Sequence, residues 1–241
     1  MYRFLLSPRW IGLALFVVLM SGLFVRLGMW QHDRYEQRQS ENATIRGNYT
    51  AEPLPVERID EFDEDLAWRT VTATGTFDPD VQVVVRFRPR DGRTGVEVVS
   101  PLRLDSGRIL LVNRGWLAAD NSSAAPQDVP PPPHGPVTVV GWWQPDSEAG
   151  ADTTTPRDGQ VRAIDSRRWS DLVGPTVPGH LALTSPEQDG LEPAQEPDLG
   201  SGPSLFYSIQ WYFFAGLALL GYVWFVRDEV KNRRSAATTS S

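Results

Sequence analysis

Three histidines are the residues of this chain best suited to bind a metal ion or a haem iron: His32, His134 and His180. They are far apart in sequence, and none lies beside another donor at the spacing of a metal site. His134 lies in a proline-rich stretch and is expected to be exposed. His32 directly follows a long apolar segment, and two interpretations remain open for it: an axial ligand to a haem, or a plain interfacial side chain.

Other chemistry-bearing patterns are weak or missing. The chain has no cysteine, which excludes disulfides and thiolate metal sites. The carboxylate run between Asp60 and Asp65 lacks the glycine of a calcium loop and is better interpreted as a solvated loop. The nucleophile elbow, the P-loop and the dinucleotide-binding glycine motif are all absent from the sequence. We therefore expect binding or assembly rather than enzymatic catalysis.

Two short constellations combine polar and aromatic residues at the ends of apolar segments. In the first, Gly28 permits close helix approach, while Trp30 and Arg34 lie four residues apart on one helical face. In the second, the amide of Gln210 lies inside an apolar run, between Tyr207 and Trp211. A buried amide needs a partner. These residues either lock two helices together or form a surface for a cofactor or a partner subunit.

The elements that position these residues are two predicted membrane helices. The uncharged stretch Leu205 to Val226 is about 33 Å long as a helix, which is enough to span a membrane. The uncharged stretch Trp10 to Val25 is shorter, and Leu27, Met29 and Trp30 extend it past Arg26, whose guanidinium can reach the headgroups. A cleaved signal peptide is the alternative for this N-terminal stretch, but no small-residue cleavage site follows it. The predicted layout is a terminus (1–9), a first span (10–30), an outer domain (31–203), a second span (204–226) and a basic tail (227–241).

Charge predicts the orientation of this layout. Basic residues precede the first span and follow the second, so both termini are expected in the cytoplasm, with the protein in the cell (plasma) membrane and in contact with its lipid. The chain has a net charge of −7, and the acidic excess lies between the spans. An acidic outer domain argues against nucleic-acid binding, which needs a basic surface.

Short stretches rich in β-branched and aromatic residues fill the outer domain. Turn sequences such as Arg90-Asp91-Gly92 and Asp105-Ser106-Gly107 separate them. The predicted fold class is therefore an α+β membrane protein, with two transmembrane helices flanking an antiparallel β-rich domain, a small barrel or sandwich. The strands are expected at 69–77, 81–87, 95–104, 108–116, 137–143, 161–164 and 180–184, with a helical turn at 166–172.

Two segments of this domain are predicted to be irregular. The proline-rich stretch 121–136 is expected to be an extended, exposed connector. The acidic, Pro- and Gly-rich stretch 186–202 is expected to be a linker that returns the chain to the membrane.

The two constellations, together with Asn113-Arg114-Gly115-Trp116 in a central strand, resemble the surfeit locus protein 1 family of cytochrome c oxidase assembly factors. In that family's pattern, a first span ends in L-G-x-W-Q-x-x-R, a central strand ends in N-R-G-W, and a last span opens with Y-x-x-Q-W. These read here as Leu27 to Arg34, Asn113 to Trp116 and Tyr207 to Trp211. Their order and spacing match over nearly the whole chain.

The resemblance implies a non-enzymatic factor that helps to place haem a in subunit I of a haem-copper oxidase, or that stabilises this subunit. Cytochrome c oxidase subunit I and other oxidase assembly factors would be its partners. The residues that would contact the haem or the subunit are Gly28, Trp30, Gln31, Arg34, Arg114, Tyr207, Gln210 and Trp211. Arg114 could pair with a haem propionate.

One position departs from the family's pattern. Many bacterial members have a histidine, regarded as a haem ligand, three residues before the tyrosine of the last span, and Ser204 stands there in this chain. A serine is a poor axial ligand. Either another residue such as His32 supplies the ligand, or the protein acts as a scaffold without haem. A membrane-anchored binding or signalling domain, unrelated to the oxidase, is the alternative function.

Overall fold

The protein is described by a computed structural model that covers residues 3–60, 64–119, 128–200, 202 and 204–239. Its helices are α1 (Pro8–Thr50), α2 (Ala151–Thr154), α3 (Ser166–Val173) and α4 (Ser204–Thr239). Its strands are β1 (Leu54–Pro55), β2 (Thr70–Phe77), β3 (Val83–Val85), β4 (Gly95–Leu104), β5 (Ile109–Ala118), β6 (Pro136–Gln144), β7 (Gln160–Val161) and β8 (Thr176–Ser185). These elements form two units: Met1–Asn42 with Leu199–Ser241, called here the helix pair, and Ala43–Asp198, called the β-domain.

Both long helices, α1 and α4, qualify as candidate membrane spans by length and composition. Only 11% of the most apolar window of α1 and 6% of that of α4 is buried, so neither is the core helix of a soluble domain. Their large apolar side chains, including Phe16 and Phe213, are exposed instead. The first helix continues beyond the predicted span and ends at Thr50.

The helix pair is held together along a seam of small and polar residues. Ser21, Gly28 and Asn42 are the buried residues of α1, spaced in multiples of seven, while Ser208 and Ala215 are buried on α4 with the same spacing. A seven-residue spacing keeps side chains on one helical face. Small residues on that face let two helices approach closely, which is the usual packing between membrane helices.

Five strands of the β-domain close into a small barrel in the order β2-β6-β8-β5-β4, and a further pairing of β2 with β4 completes the ring. Closure agrees with the predicted barrel. The sheet is mixed, however, because β1 pairs with β2, β3 with β7 and β5 with β8 in parallel. The predicted α+β fold with a β-rich domain is confirmed, and its sheet is mixed where an antiparallel one was predicted. The chain between β5 and β8, which includes β6, is long enough for the crossover that this parallel pair requires.

Most predicted strands are confirmed with small shifts at their ends. β4 has the predicted bounds, and β2, β5 and β6 differ from theirs by one or two residues. The predicted strand 81–87 shortens to Val83–Val85, since Phe87 adopts a positive φ of 59°. The turn after it is confirmed: Asp91 and Gly92 both have positive φ, as a tight hairpin requires.

Two apolar clusters fill the β-domain. The barrel interior is lined by residues of β2, β4, β5, β6 and β8, with Trp143 fully buried among them. The second cluster lies between β3, β4, β5 and α3, around the fully buried Trp169. Trp169 Nε1 donates to the carbonyl of Thr154 at 3.0 Å, which satisfies its polar atom.

The two segments predicted to be irregular are attached to this domain. Residues 121–127 of the proline-rich connector lie outside the described residues, but Pro132 is buried and the carbonyl of Pro130 accepts a bond from Gln82. The expectation of a fully exposed connector was wrong there. Glu192 of the acidic linker forms a β-bridge with Trp116, so that part of the linker packs on β5.

Candidate functional site

Gly28 occupies the tightest point of the helix pair. A Cβ atom at this position would lie 2.6 Å from the ring of Tyr212 on α4, closer than side-chain carbons approach each other. Next to it, the ring of Trp211 stacks on Phe24 with centroids 5.7 Å apart. Gly28 therefore permits the helix approach predicted for it, and α1 and α4 pack through these two contacts.

The remaining first-span residues lie at the surface of α1. Arg34 places its guanidinium 5.8 Å from the ring centroid of Trp30, which is 54% exposed, so the shared helical face predicted for this pair is present. Gln31 is half-buried. His32 is exposed, and its Nε2 lies 3.4 Å from a carboxylate oxygen of Glu36 one turn later.

The start of α4 presents the second constellation. Tyr207 is exposed, whereas Gln210 and Trp211 are half-buried. Between them lies Ser208, which is 2% exposed and belongs to the seam. Sequence reasoning missed Ser208, although its seven-residue spacing from Ala215 is readable in the sequence.

The structure bears on the fit of a haem to this unit. Ser204 begins α4, and its hydroxyl is a poor axial ligand. His32 is the only histidine of the helix pair, and its exposed imidazole could ligate haem iron. Within the described ranges, no group of three or more His, Cys, Asp or Glu side chains is placed to hold a metal ion. The helix pair therefore offers one imidazole, that of His32, to a haem iron.

Arg114 lies in the β-domain, at a bulge of β5. Val98 pairs with Gly115 and Val99 with Asn113, so Arg114 is the extra residue. Its side chain is buried, with 2% of its surface exposed. Desolvation by this burial lowers the pKa of Arg114 to about 10.

The guanidinium of Arg114 is largely engaged by the chain itself. It donates to the side-chain oxygen of Gln188 at 3.2 Å and to the carbonyls of Pro130 and Pro131 at 2.9 and 2.7 Å. These bonds use three of its five N–H groups. The arginine thus joins the proline-rich connector to the barrel, and a propionate contact would have to use the other two.

Gly115 shows why glycine follows this arginine. Its φ of 144° is unfavourable for other residues, and a Cβ atom would lie 2.5 Å from the carbonyl oxygen of Glu192. The close approach lets Trp116 and Glu192 exchange backbone hydrogen bonds of 2.7 and 2.8 Å. Gly115 thus permits a close backbone approach to the acidic linker.

A polar cavity of the β-domain contains residues that sequence reasoning did not select. It has a volume of about 410 Å³, and its lining includes Arg88, Arg90, Gln144 and His180. Burial, with a smaller contribution from the positive charge of Arg88, lowers the pKa of His180 to about 4. A usable signal existed, because Gln144 is a polar residue at the end of an apolar stretch, and His180 directly precedes the apolar run of the strand predicted at 180–184.

Comparison with known proteins places the chain in one family. Residues 18–216 match the SURF1 family. An uncharacterized SURF1-like protein of Mycobacterium tuberculosis is 37% identical over 242 residues, which cover 96% of this chain and 88% of that protein. A SURF1-like protein of Rickettsia bellii is 28% identical over 114 residues, 46% of each chain. The cytochrome oxidase assembly protein SHY1 of Saccharomyces cerevisiae is 30% identical over 97 residues, 39% of this chain and 25% of the yeast protein. Because the family match covers most of the chain, including the whole barrel and part of each long helix, this chain belongs to the SURF1 family.

Proposed function

We propose that this protein is a non-enzymatic assembly factor for a haem-copper terminal oxidase, which aids haem a insertion into subunit I or stabilises that subunit. The observation that carries the proposal is membership of the SURF1 family, together with a yeast relative named as a cytochrome oxidase assembly protein. Subunit I and other assembly factors are the proposed partners.

The proposed location is the cell membrane, with both termini in the cytoplasm. Arg9 precedes the first apolar segment, and Arg227, Lys231 and Arg233 follow the second. The positive-inside rule places such flanks on the cytoplasmic side. The acidic β-domain then lies outside the cytoplasm, where it can meet the outer face of an oxidase subunit.

The helix pair is the proposed contact surface for the oxidase subunit. The residues buried in its seam are small or polar, and aromatic residues such as Trp30, Tyr207 and Phe213 remain exposed. Membrane helices associate through van der Waals packing and polar contacts, and these outward aromatics offer both. The polar ends of Gln31 and Gln210 add hydrogen-bonding groups to the same unit.

In the haem-dependent form of this proposal, His32 would hold the iron and Arg34 would pair with a propionate. Haem a would supply the electron-transfer chemistry of the oxidase, while this chain would only hold and orient it. His32 is exposed to an incoming ligand, and a guanidinium is suited to bind a carboxylate.

Deleting the gene and complementing it tests the assembly role. We expect membranes of the deletion strain to lose haem a absorbance and oxidase activity, and the wild-type gene to restore both. Gly28→Leu should fail to restore them because its side chain would overlap the ring of Tyr212. Gly22→Leu is the matched control, since a Cβ atom at Gly22 meets nothing within 4 Å.

The deletion also distinguishes the alternative function. A strain that keeps normal haem a absorbance and oxidase activity would contradict the assembly role and favour a membrane-anchored binding or signalling domain. For haem itself, the protein purified from haem a-producing cells should show a haem absorption band that His32→Ala weakens. A wild-type protein without this band would leave only the scaffold form of the proposal standing.

A further inference from the structure

A cavity of about 280 Å³ lies on the surface of α1, near the end of the first predicted span. Its lining residues all belong to the helix pair: Arg26, Leu27, Met29, Trp30 and Asp33. Four of them follow the spacing i, i+3, i+4 and i+7, which places them on one face of a helix. The cavity is therefore formed by a single helical face of α1.

The middle of this cavity is apolar and open. Met29 is 48% exposed and Trp30 is 54% exposed. Tryptophan is typical of the membrane interface, where its ring lies at the level of the lipid headgroups. The cavity thus lies at the depth where a headgroup joins its acyl chains.

Residues of opposite charge lie at the two ends of the cavity. Arg26 and Asp33 are both exposed, and among the described residues neither has an ion-pair partner. Seven residues separate them by about 10 Å along the helix axis. The headgroup layer is about 5–8 Å thick on each side of a bilayer, so the two charges lie at its inner and outer limits.

The neighbouring charged residues already have partners. The guanidinium of Arg34 lies 5.8 Å from the ring centroid of Trp30, and a carboxylate oxygen of Glu36 lies 3.4 Å from Nε2 of His32. A ligand that satisfies the cavity should therefore carry both a negative and a positive group, one for Arg26 and one for Asp33.

The order of these two residues matches the order of charges in a zwitterionic phospholipid. Arg26 is the first charge after the uncharged stretch that ends at Val25, and Asp33 lies farther from the membrane centre. In such a lipid the phosphate is attached to the glycerol, and the ammonium group lies beyond it. A guanidinium is well suited to bind phosphate, and the long arginine stem lets its charged end reach the headgroup layer.

Asp33 distinguishes between headgroups. The primary ammonium of ethanolamine has N–H donors for its carboxylate, whereas the quaternary ammonium of choline has none. Choline is attracted by aromatic rings, but the guanidinium of Arg34 already lies over the ring of Trp30. An anionic headgroup such as phosphatidylglycerol brings no cation and would be repelled by Asp33.

We propose that this cavity holds the headgroup of a zwitterionic phospholipid with a primary ammonium group: Arg26 binds the phosphate, Asp33 binds the ammonium, and Trp30 packs on the glycerol region. The site goes beyond the role in oxidase assembly and does not depend on it, because a membrane-anchored binding or signalling protein with this helix would have the same face.

Phospholipids that differ only in their headgroups provide matched probes. The full-length protein would be placed in phosphatidylcholine nanodiscs with a small amount of a lipid that has a nitroxide on its acyl chain and an ethanolamine, choline or glycerol headgroup. Electron paramagnetic resonance measures the fraction of labelled lipid that the protein immobilises. We expect the ethanolamine lipid to associate about three- to fivefold more strongly than the choline lipid, the gain of an exposed ion pair. The glycerol lipid should associate no more strongly than the choline lipid.

Two carboxyl-to-amide variants separate the proposed contact from general effects. Asp33→Asn should abolish the preference for ethanolamine over choline. Glu36→Gln is the matched control, because Glu36 lies on the same helix outside the cavity, and this variant should keep the preference. Arg26→Gln should weaken the association of all three lipids, since each contains the phosphate. Circular dichroism would verify that the variants fold.

Three results would overturn the proposal. The first is equal association of the ethanolamine and choline lipids with the wild-type protein. The second is a stronger association of the glycerol lipid, which would indicate general attraction of anions by basic residues. The third is an ethanolamine preference that persists in the folded Asp33→Asn variant.

Discussion

The β-domain and the helix pair differ in the size of the side chains that they bury. The β-domain buries its largest side chains, with Trp116, Trp143 and Trp169 at most 2% exposed. The helix pair buries Ser21, Gly28, Ser208 and Ala215 and exposes its large apolar residues. The first pattern follows from water, which drives apolar area inward. The second is suited to lipid, where large apolar side chains lose nothing by facing outward and close packing favours small residues between the helices.

A change in side-chain size should therefore have opposite effects on packing in the two units. Removing volume should damage the β-domain and leave the outer face of the helix pair intact. Adding volume should damage the seam of the helix pair first.

The largest effect is expected from tryptophan truncation. Trp143→Ala removes a fully buried ring and its bond from Nε1 to the carbonyl of Pro178, so we expect a loss of about 3–5 kcal/mol in the unfolding free energy of the β-domain. Trp224→Ala, at a residue 61% exposed on α4, should leave that free energy unchanged. Urea unfolding of the full-length protein in nanodiscs would measure both free energies. Equal losses in the two variants would contradict the proposed difference between the two units.

A pH effect should follow from His180 in the β-domain. Its pKa of about 4 lies below the ordinary value of 6.5, so the unfolded chain takes up a proton that the folded chain does not as the pH falls through this window. Neutral, buried His180 therefore contributes to the unfolding free energy of the β-domain. This contribution is present in full above pH 6.5 and is lost on acidification to about pH 4, and its upper limit is about 3 kcal/mol.

Unfolding free energies at the two ends of this window would measure the contribution. His180→Gln should reduce the loss between neutral and acidic pH, whereas His134→Gln, at an exposed histidine, should not. An unchanged pH dependence in His180→Gln would contradict the assignment.

Within the β-domain, a buried and an exposed carboxylate should contribute differently to the unfolding free energy. Asp146 is 6% exposed and accepts bonds from the backbone N–H and the hydroxyl of Ser166 at 2.7 and 2.6 Å and from Gly179 N–H at 3.2 Å. Asp146→Asn replaces one accepting oxygen by a donor, which should cost about 1–3 kcal/mol in unfolding free energy. Asp152→Asn is the control, because its pair with Arg157 is exposed on both sides and should contribute almost nothing.

The smallest effect is expected from a single methyl group in the seam. Gly28→Ala would bring its Cβ within 2.6 Å of Tyr212, so the helices must move apart, at a cost of about 1–2 kcal/mol. Because the chain has no cysteine, a disulfide between cysteines introduced at Phe24 and Trp211 would report helix contact without background. We expect lower cross-linking with Gly28→Ala and unchanged cross-linking with Gly22→Ala. Equal yields for both would show that the seam tolerates added volume.

Much of the fold could be predicted from short stretches of the sequence. Apolar length predicted both long helices, and alternating β-branched residues between turn sequences predicted β2, β4, β5 and β6 closely. Two features of the candidate site were also readable: the closeness of Gly28 to a second helix and the common face of Trp30 and Arg34. Each of these depends on residue size or on spacing within one element, which a sequence displays directly.

The pairing of distant segments was decided by the tertiary structure alone. That β8 runs parallel to β5, that Arg114 binds the proline-rich connector, and that Gln144 lies opposite His180 under the acidic linker all join residues far apart in the chain. A sequence determines which segments are apolar enough to be buried, but many pairings bury the same area. Only the closed barrel selects the one in which backbone hydrogen bonds and side-chain packing are satisfied together.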